Sequence, residues 1–576
     1  MSRHSNSFPT EFAGQHPHGH RRIINNPYPD YNSASWNSTW RGSHRACLGP
    51  HGRVLDRRDE DTMMSGYHWN ASDFPSPIFG SYENWGLDRD LCADSVSRYG
   101  AYGYKNRRDN GWPGSDGFNH AAELQWDDVN WANLQQDCLQ RNEDRFRTTG
   151  PQKKQIWTLD KRWDSSVHDE FDLSEPEPGI QPRTAVIMRT WLSKRYTEDD
   201  LYYIRAMIME LALHSGGEYD VVVLVDCKGT ELPDFMDTVA MDKFKAEHLP
   251  RELRELAVFF NQKMLKEWYP GLKAHDAVLQ YFQPVQLFSR LHPQYESVWQ
   301  FEMDARYTGH FYRLVTQATD FARRQPRKHL WERNSYFYIP ASHGTWGEFA
   351  TKVDRDMVKR DSVWGPQPAE GIDLEGHSPV PPVASPDDDE GAWGVGEEAD
   401  LITWLPHFDP AGVKNWPWGR KIYHFQQQKH TPRRATIVAM SRLSKRLLRV
   451  MHKDQAHKGF GLASEMTPVS WALYYGLKAV QVPQPVYHER AWDAAELDRR
   501  TNPGEPDKIN GDLNSIWGCN SCHDILLYTT FMFRSYFAER LYRAWLGYDG
   551  AEEWEKENRP LCLPPIFIHP VKNSER

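Results

Sequence analysis

The sequence predicts an α/β fold: a mostly parallel sheet flanked by helices, running from about residue 183 to the C-terminus behind an irregular, aromatic-rich N-terminal extension. Three observations predict it. Two short, continuous, β-branched runs, Ala185-Val186-Ile187-Met188 and Val221-Val222-Val223-Leu224-Val225, read as strands buried on both faces. Between them Leu201, Ile204, Met207, Ile208 and Leu211 recur at helical spacing. Before residue 183 no such period exists, and tryptophan and tyrosine are scattered among Gly, Asp and Asn.

Taken in order, residues 1–45 are rich in His, Asn, Ser, Pro and Arg, so they read as a disordered polar arm whose removal leaves folding intact. Residues 46–182 read as an irregular extension pinned by aromatics onto a neighbouring core. At the first helix Thr197 is the expected N-cap, with Glu198, Asp199 and Asp200 favourable in the first turn, and Gly216-Gly217 ends the element. Residues 297–304 form a further predicted strand, ending on Glu302-Met303-Asp304, and a helix is expected over 311–321. Clustered Pro, Gly and acidic residues make 363–400 an expected mobile loop, placed to act as a lid. Beyond it the pattern predicts a basic amphipathic helix over 435–451, a helix over 469–477, a strand over 479–482 and the longest helix of the chain over 524–546.

Composition narrows the function. A net charge of −10 and a pI near 6.2 give no broad electrostatic footprint for nucleic acid. The longest apolar stretch, 525–533, falls short of the roughly 20 residues of a spanning helix. The first thirty residues lack the apolar segment of a secretory signal, whereas Asn37-Ser38-Thr39 and Asn70-Ala71-Ser72 have the N-glycosylation pattern. Seven cysteines leave one unpaired whatever disulfides form, and the compartment stays open. Cys519 and Cys522 have no second close pair, so a zinc site is not expected there, and they read as a local disulfide or two ordinary thiols.

Three constellations carry chemistry. Glu302 and Asp304 sit one residue apart at a strand end, where both carboxylates can reach one Mg²⁺ or Mn²⁺ together with a diphosphate. Asp226 closes the similar strand beside them, and the ordinary alternative is a solvated strand end. The run His457-Lys458-Gly459-Phe460-Gly461-Leu462-Ala463-Ser464-Glu465 offers Gly459 and Gly461 for close backbone approach and Glu465 as a general base. Without chemistry, Ser464 would be an N-cap and Glu465 a favourable dipole partner. His488, after the 479–482 strand, offers an imidazole nitrogen, a ligand that suits Mn²⁺ better than Mg²⁺.

Read together, the blocks Trp299-Gln300-Phe301-Glu302-Met303-Asp304-Ala305-Arg306-Tyr307-Thr308-Gly309-His310, Leu330-Trp331-Glu332-Arg333-Asn334-Ser335, Gly459-Phe460-Gly461-Leu462-Ala463-Ser464-Glu465-Met466-Thr467-Pro468-Val469-Ser470, and Cys562-Leu563-Pro564-Pro565 with His569-Pro570-Val571-Lys572 resemble the fungal DUF3405 family. The resemblance covers roughly two thirds of the chain and fades before Arg183. Their layout is in turn similar to GT-A glycosyltransferases, although a glutamate stands where the usual first aspartate would be. That similarity implies sugar transfer from a nucleotide-sugar donor to a glycan or protein acceptor in a secretory-pathway lumen. It assigns Glu302, Asp304 and His488 to the cation, Glu465 to the acceptor-side base, and Arg189 or Arg306 to added positive charge at the diphosphate. The competing readings are a non-catalytic binding or scaffolding relative and a metal-dependent hydrolase.

Overall fold

The βαβ unit forms as its pattern predicts, and everything else is arranged around it. Strand β1 (Thr184–Trp191) leads into helix α1 (Glu198–Met207), whose N-terminus is closed by a reciprocal capping box between Thr197 and Asp200. The helix continues as a π-turn through Ile208–Leu213, and strand β2 (Tyr219–Asp226) returns parallel to β1. This computed structural model describes residues 21–70, 74–104, 124–146, 157–163, 177–374, 378–518, 523–547 and 561–572.

Strand β3 (Ala257–Phe260) extends the sheet beyond β2. After helix α2 (Gln283–Leu291), strand β4 (Ser297–Glu302) joins the other side of β1, in parallel register from Thr184↔Ser297 to Arg189↔Glu302. Helix α3 (Phe311–Arg324) follows. Strands β5 (Leu401–Thr403), β6 (Met440–Ser444) and β7 (Ala479–Gln481) complete a seven-stranded sheet of order β3-β2-β1-β4-β6-β5-β7. Strand β6 is antiparallel to both its neighbours, and every other pairing in the sheet is parallel. Helices α4 (Lys445–Lys458) and α5 (Thr467–Tyr475) lie between β6 and β7 in sequence, and α6 (Ala538–Trp545) comes near the C-terminus. Among the described residues no helix is long and apolar enough to cross a membrane.

The expected 435–451 helix is two elements. Residues 440–444 are β6, because their backbone pairs with β4 on one side and β5 on the other while Met440 and Leu443 are buried, and Ser444 then caps α4 through the Leu447 amide. The expected long helix over 524–546 is likewise broken. The backbone of Thr529, Thr530 and Phe531 is extended and bridges to His488 and His569, and α6 starts only after the Ser535 hydroxyl accepts from the Phe537 and Ala538 amides.

The described residues of the N-terminal third contribute side chains to the same core rather than forming an appendage. Its long polar stretches hide single anchors: the Tyr28 hydroxyl donates to the Glu210 carbonyl at 2.6 Å and the Tyr31 hydroxyl to Glu218 at 2.7 Å, both fully inside. Arg98 forms a buried ion pair with Glu210 at 2.7 Å, and Arg145 pairs with Glu218 at 2.9 Å. Disulfides Cys47–Cys138 and Cys92–Cys562 bind the region further, and Cys227 is a buried free thiol. Cys519 and Cys522, like residues 1–20, lie outside the described residues. Deleting residues 1–45 should therefore destabilise the protein by at least about 4 kcal/mol, the cost of two buried phenols and their hydrogen bonds. Thermal melts of the full and shortened chains check this, and equal melting temperatures would overturn it.

The insertion over 363–400 is also tied down. Trp364 and Trp393 meet edge to face at 4.5 Å, the Trp364 indole donates to the Val383 carbonyl, and Lys328 donates to the Asp389 carbonyl. Arg327 grips Glu397 with two bonds of 2.7 Å. Composition signalled a loop, but Arg327, which lies over the Trp393 ring and pairs with Glu397, and Lys328 fix its described residues to the core.

Candidate metal centre

In an open parallel sheet, ligands bind beyond the carboxyl ends of the strands where the strand order reverses. Here the chain leaves β1 toward β2 and β3, then comes back to β4 on the opposite side, so the reversal lies between the ends of β1 and β4. Arg189 and Glu302 face one another across it.

Glu302 is the last residue of β4, and Asp304 lies in the turn that follows, closed by the Ala305 amide donating to the Glu302 carbonyl. The next two residues, Arg306–Tyr307, pair antiparallel with Phe567–Ile568, and the Val571 amide donates to the Asp304 carbonyl. That pairing delivers His569 to the carboxylates. Its Nε2 is 3.2 Å from Glu302 Oε2 and 3.4 Å from Asp304 Oδ1. One ligand atom from each of the three residues lies within 4.8 Å of the others. On the far side of the ring, Nδ1 donates to the Met532 carbonyl, which fixes the tautomer and aims Nε2 at the acids. Burial would lower the His569 pKa, but Asp304 and Glu302 win and raise it to about 10. Burial likewise opposes ionisation of Asp304, and His569, with Lys572 at 4.0 Å, outweighs it and holds the carboxyl below its usual value.

Glu465 stands close enough to feel Glu302. Burial pushes its carboxyl up to about 7, with Trp418 and Glu302 as its polar neighbours, and its Oε2 is buried with no hydrogen-bond partner. Tyr281 lies nearby: its hydroxyl donates to Gln300 of β4, its amide donates to the Ser464 hydroxyl at 2.9 Å, and burial and Glu302 push the phenol well above its usual range.

The Glu465 shift predicts a pH effect on stability. A carboxyl near 4.5 when unfolded and about 7 when folded binds its proton more tightly in the native state. Its contribution is therefore favourable below pH 4.5 and is lost as pH rises through 7. Glu465→Gln should match the parent at pH 4 and exceed it at pH 8 by on the order of 3 kcal/mol. Melts in chelator across that range test the sign, and a constant difference would remove the cause assigned to Glu465.

Residues 92–573 match the family described as Protein of unknown function (DUF3405). The chain belongs to DUF3405. No curated protein and no solved structure matches it. The DUF3405 span starts well before Arg183, and its ends are joined covalently by the Cys92–Cys562 disulfide.

Within this DUF3405 chain the site departs from expectation at several residues. His488 is not beside the acids: its Nδ1 accepts from the Arg490 amide, its ring packs edge-on against Trp492, and burial lowers its pKa to about 4. The histidine at the acids is His569, from a block that had entered only through family resemblance. Arg306 turns away and is spent on Asp199 at 2.9 Å and Asp200 at 2.7 Å, with its side chain 1% exposed. Arg189 donates to the Tyr281 carbonyl and stacks 3.4 Å from the Tyr281 ring centre, so it positions Tyr281 rather than presenting a free charge. Asp226 lies on β2, beyond β1 from Glu302, and takes the Lys228 amide.

The glycines serve packing. Gly459 closes α4 at φ 66°, and a Cβ there would come within 3.1 Å of the Gly271 carbonyl oxygen. Gly461 pairs with Tyr423, and a Cβ would meet Leu272 at 2.8 Å. Ser464 caps no helix, because α5 begins after Met466. Its hydroxyl instead ties the Tyr281 amide to the Val278 carbonyl.

Proposed function

We propose that this DUF3405 chain transfers a sugar from a nucleotide-sugar donor to a glycan or protein acceptor, with a divalent cation held by Glu302, Asp304 and His569. One observation carries the reading. A three-ligand cluster and a separate, protonatable carboxyl, Glu465, with one buried oxygen that has no hydrogen-bond partner, lie together at the reversal point of a parallel sheet.

The residues fit a cation. Two carboxylates that hold a proton on the His569 Nε2 can hold a metal ion in its stead, and the Nδ1 bond to Met532 leaves Nε2 free to ligate. Two oxygens and an imidazole favour Mn²⁺ over Mg²⁺. A bound cation would neutralise charge on the departing diphosphate.

The chain's own groups supply the rest. The acceptor hydroxyl gives its proton to Glu465 as its oxygen bonds to the anomeric carbon. The anomeric carbon–phosphate oxygen bond breaks, and the nucleoside diphosphate leaves with that electron pair. A carboxyl near 7 is matched to this task at neutral pH. The layout resembles GT-A enzymes, with His569 as the late histidine, and the two disulfides support an oxidising lumen.

The test is release of nucleoside diphosphate from a panel of nucleotide sugars with Mn²⁺ and mixed acceptors. Glu465→Gln should keep donor binding and lose about 10²–10⁴-fold in turnover. Release that is equally fast without acceptor would make the protein a hydrolase, and no binding of any nucleotide would refute the reading.

A further inference from the structure

Residues 410–434 hold six Lys and Arg and no Asp or Glu, in a chain whose net charge is −10. Arg433 is consumed by the backbone carbonyls of Lys429 and Thr431, and Arg434 leans on Asp409 at 3.6 Å. The other four, Lys414, Arg420, Lys421 and Lys429, are exposed, and none makes a salt bridge among the described residues. Two half-buried aromatics, Trp418 and Tyr423, sit among them, and no other aromatic ring stacks on either among the described residues.

This basic segment is fastened to the loop that carries Glu465. Ile422 and Tyr423 pair antiparallel with Leu462 and Gly461, the Ala463 amide donates to the Lys421 carbonyl, and Phe425 stacks on Phe460 at 4.5 Å. Trp418 reaches the Glu465 carboxyl itself. Three residues other than glycine here, Asn415, His424 and Gln428, are left-handed at φ 63°, 64° and 46°. Such conformations are costly and persist where surrounding contacts over-determine them, often at ligand clamps. A positive surface without salt bridges, with two aromatic rings that pack on the core and remain partly exposed, joined to the proposed base, is suited to a ligand that carries both anionic groups and apolar ring faces.

We propose that residues 414–430 are the acceptor platform and that the acceptor is an acidic oligosaccharide bearing carboxylates, with Trp418 and Tyr423 contacting sugar rings and Arg420 and Lys421 pairing the carboxylates. This rests on the sugar-transfer reading for the word acceptor, but the binding site itself does not need catalysis. A nucleic acid would also meet cations and rings, but the adjoining Glu465 favours a ligand that presents a hydroxyl there.

The test uses a fluorescent oligogalacturonate, its methyl ester as the uncharged match, and a single-stranded oligonucleotide, titrated in chelator without nucleotide. Oligogalacturonate should bind, the ester at least about tenfold more weakly, and raising ionic strength from about 0.05 to about 0.5 M should weaken binding by about tenfold. The triple change Lys414→Glu, Arg420→Glu and Lys421→Glu should remove binding without moving the melting temperature, and Trp418→Ala should weaken it. Because the titration is made in chelator and without nucleotide, loss of the metal reading leaves this result standing. Equal binding of the ester, tighter binding of the oligonucleotide, retention in the triple variant, or no binding at all would each overturn the proposal.

Discussion

Asp304→Asn should abolish Mn²⁺-dependent binding of a nucleoside diphosphate while the fold survives. The amide keeps the shape of the side chain and removes one of the two charges that would hold a hard cation. An affinity loss of at least about 100-fold is expected. At a ligand concentration of about 100 dissociation constants the parent gains about 2.7 kcal/mol, and a hundredfold weaker variant gains only about 0.4 kcal/mol. Without metal the change costs little, because His569 can shed the proton that Asp304 helped to hold, so no buried charge is stranded. His569→Ala should lose the same ligand-dependent shift. His488→Ala should keep it, since that ring belongs to the Trp492 and Tyr528 pocket. A full Mn²⁺-dependent shift in the Asp304 variant would dismiss the cluster as a metal site, and a shift lost only in the His488 variant would restore the sequence assignment.

What could be read from sequence follows from how local its cause is. The β1-α1-β2 unit is written in continuous β-branched runs and a capping box, all within about forty residues, so period and cap agree. Strand β6 was hidden because Met440 and Leu443, three residues apart, suit a helix as well as a strand, and only the pairing with β4 and β5 decides. Arg306 was misassigned because Asp199 and Asp200, legible as a favourable first helical turn, also reach across to claim its guanidinium. Tyr28 and Tyr31 have no periodicity to announce them, and their partners Glu210 and Glu218 are almost two hundred residues away. The same holds for the site. Glu302 and Asp304 are visible as neighbours at a strand end, but His569 is 267 residues from Glu302 and joins it only through the pairing of 306–307 with 567–568.

That long-range delivery makes the Cys92–Cys562 disulfide the second large expectation. The segment that carries His569 is held at its start by this bond and by the bridge between Ala93 and Leu563, with the Trp545 indole donating to the Ala93 carbonyl. Replacing both cysteines by alanine frees a loop spanning 470 residues and should cost about 2–5 kcal/mol. Replacing Cys47 and Cys138, whose separation is 91, should cost only about 1–2 kcal/mol less, because closure entropy grows with the logarithm of loop length. Stability alone therefore does not separate the two bonds, but ligand binding does. Slack in residues 561–572 moves the His569 Nε2 off the carboxylates, so the Cys92/Cys562 variant should lose at least about tenfold in Mn²⁺-dependent nucleotide affinity. The Cys47/Cys138 bond fastens Cys47 to the helix Trp131–Arg141, where Cys138 meets the Ala212 and Leu213 carbonyls ahead of β2 and not the segment that carries His569, so its removal should leave affinity unchanged. Both double variants would be compared with the parent by thermal melts and by nucleotide titration with and without Mn²⁺, at a temperature where all three are folded. Equal affinities in the two variants would mean that the 306–307 pairing holds His569 in place without help from the disulfide.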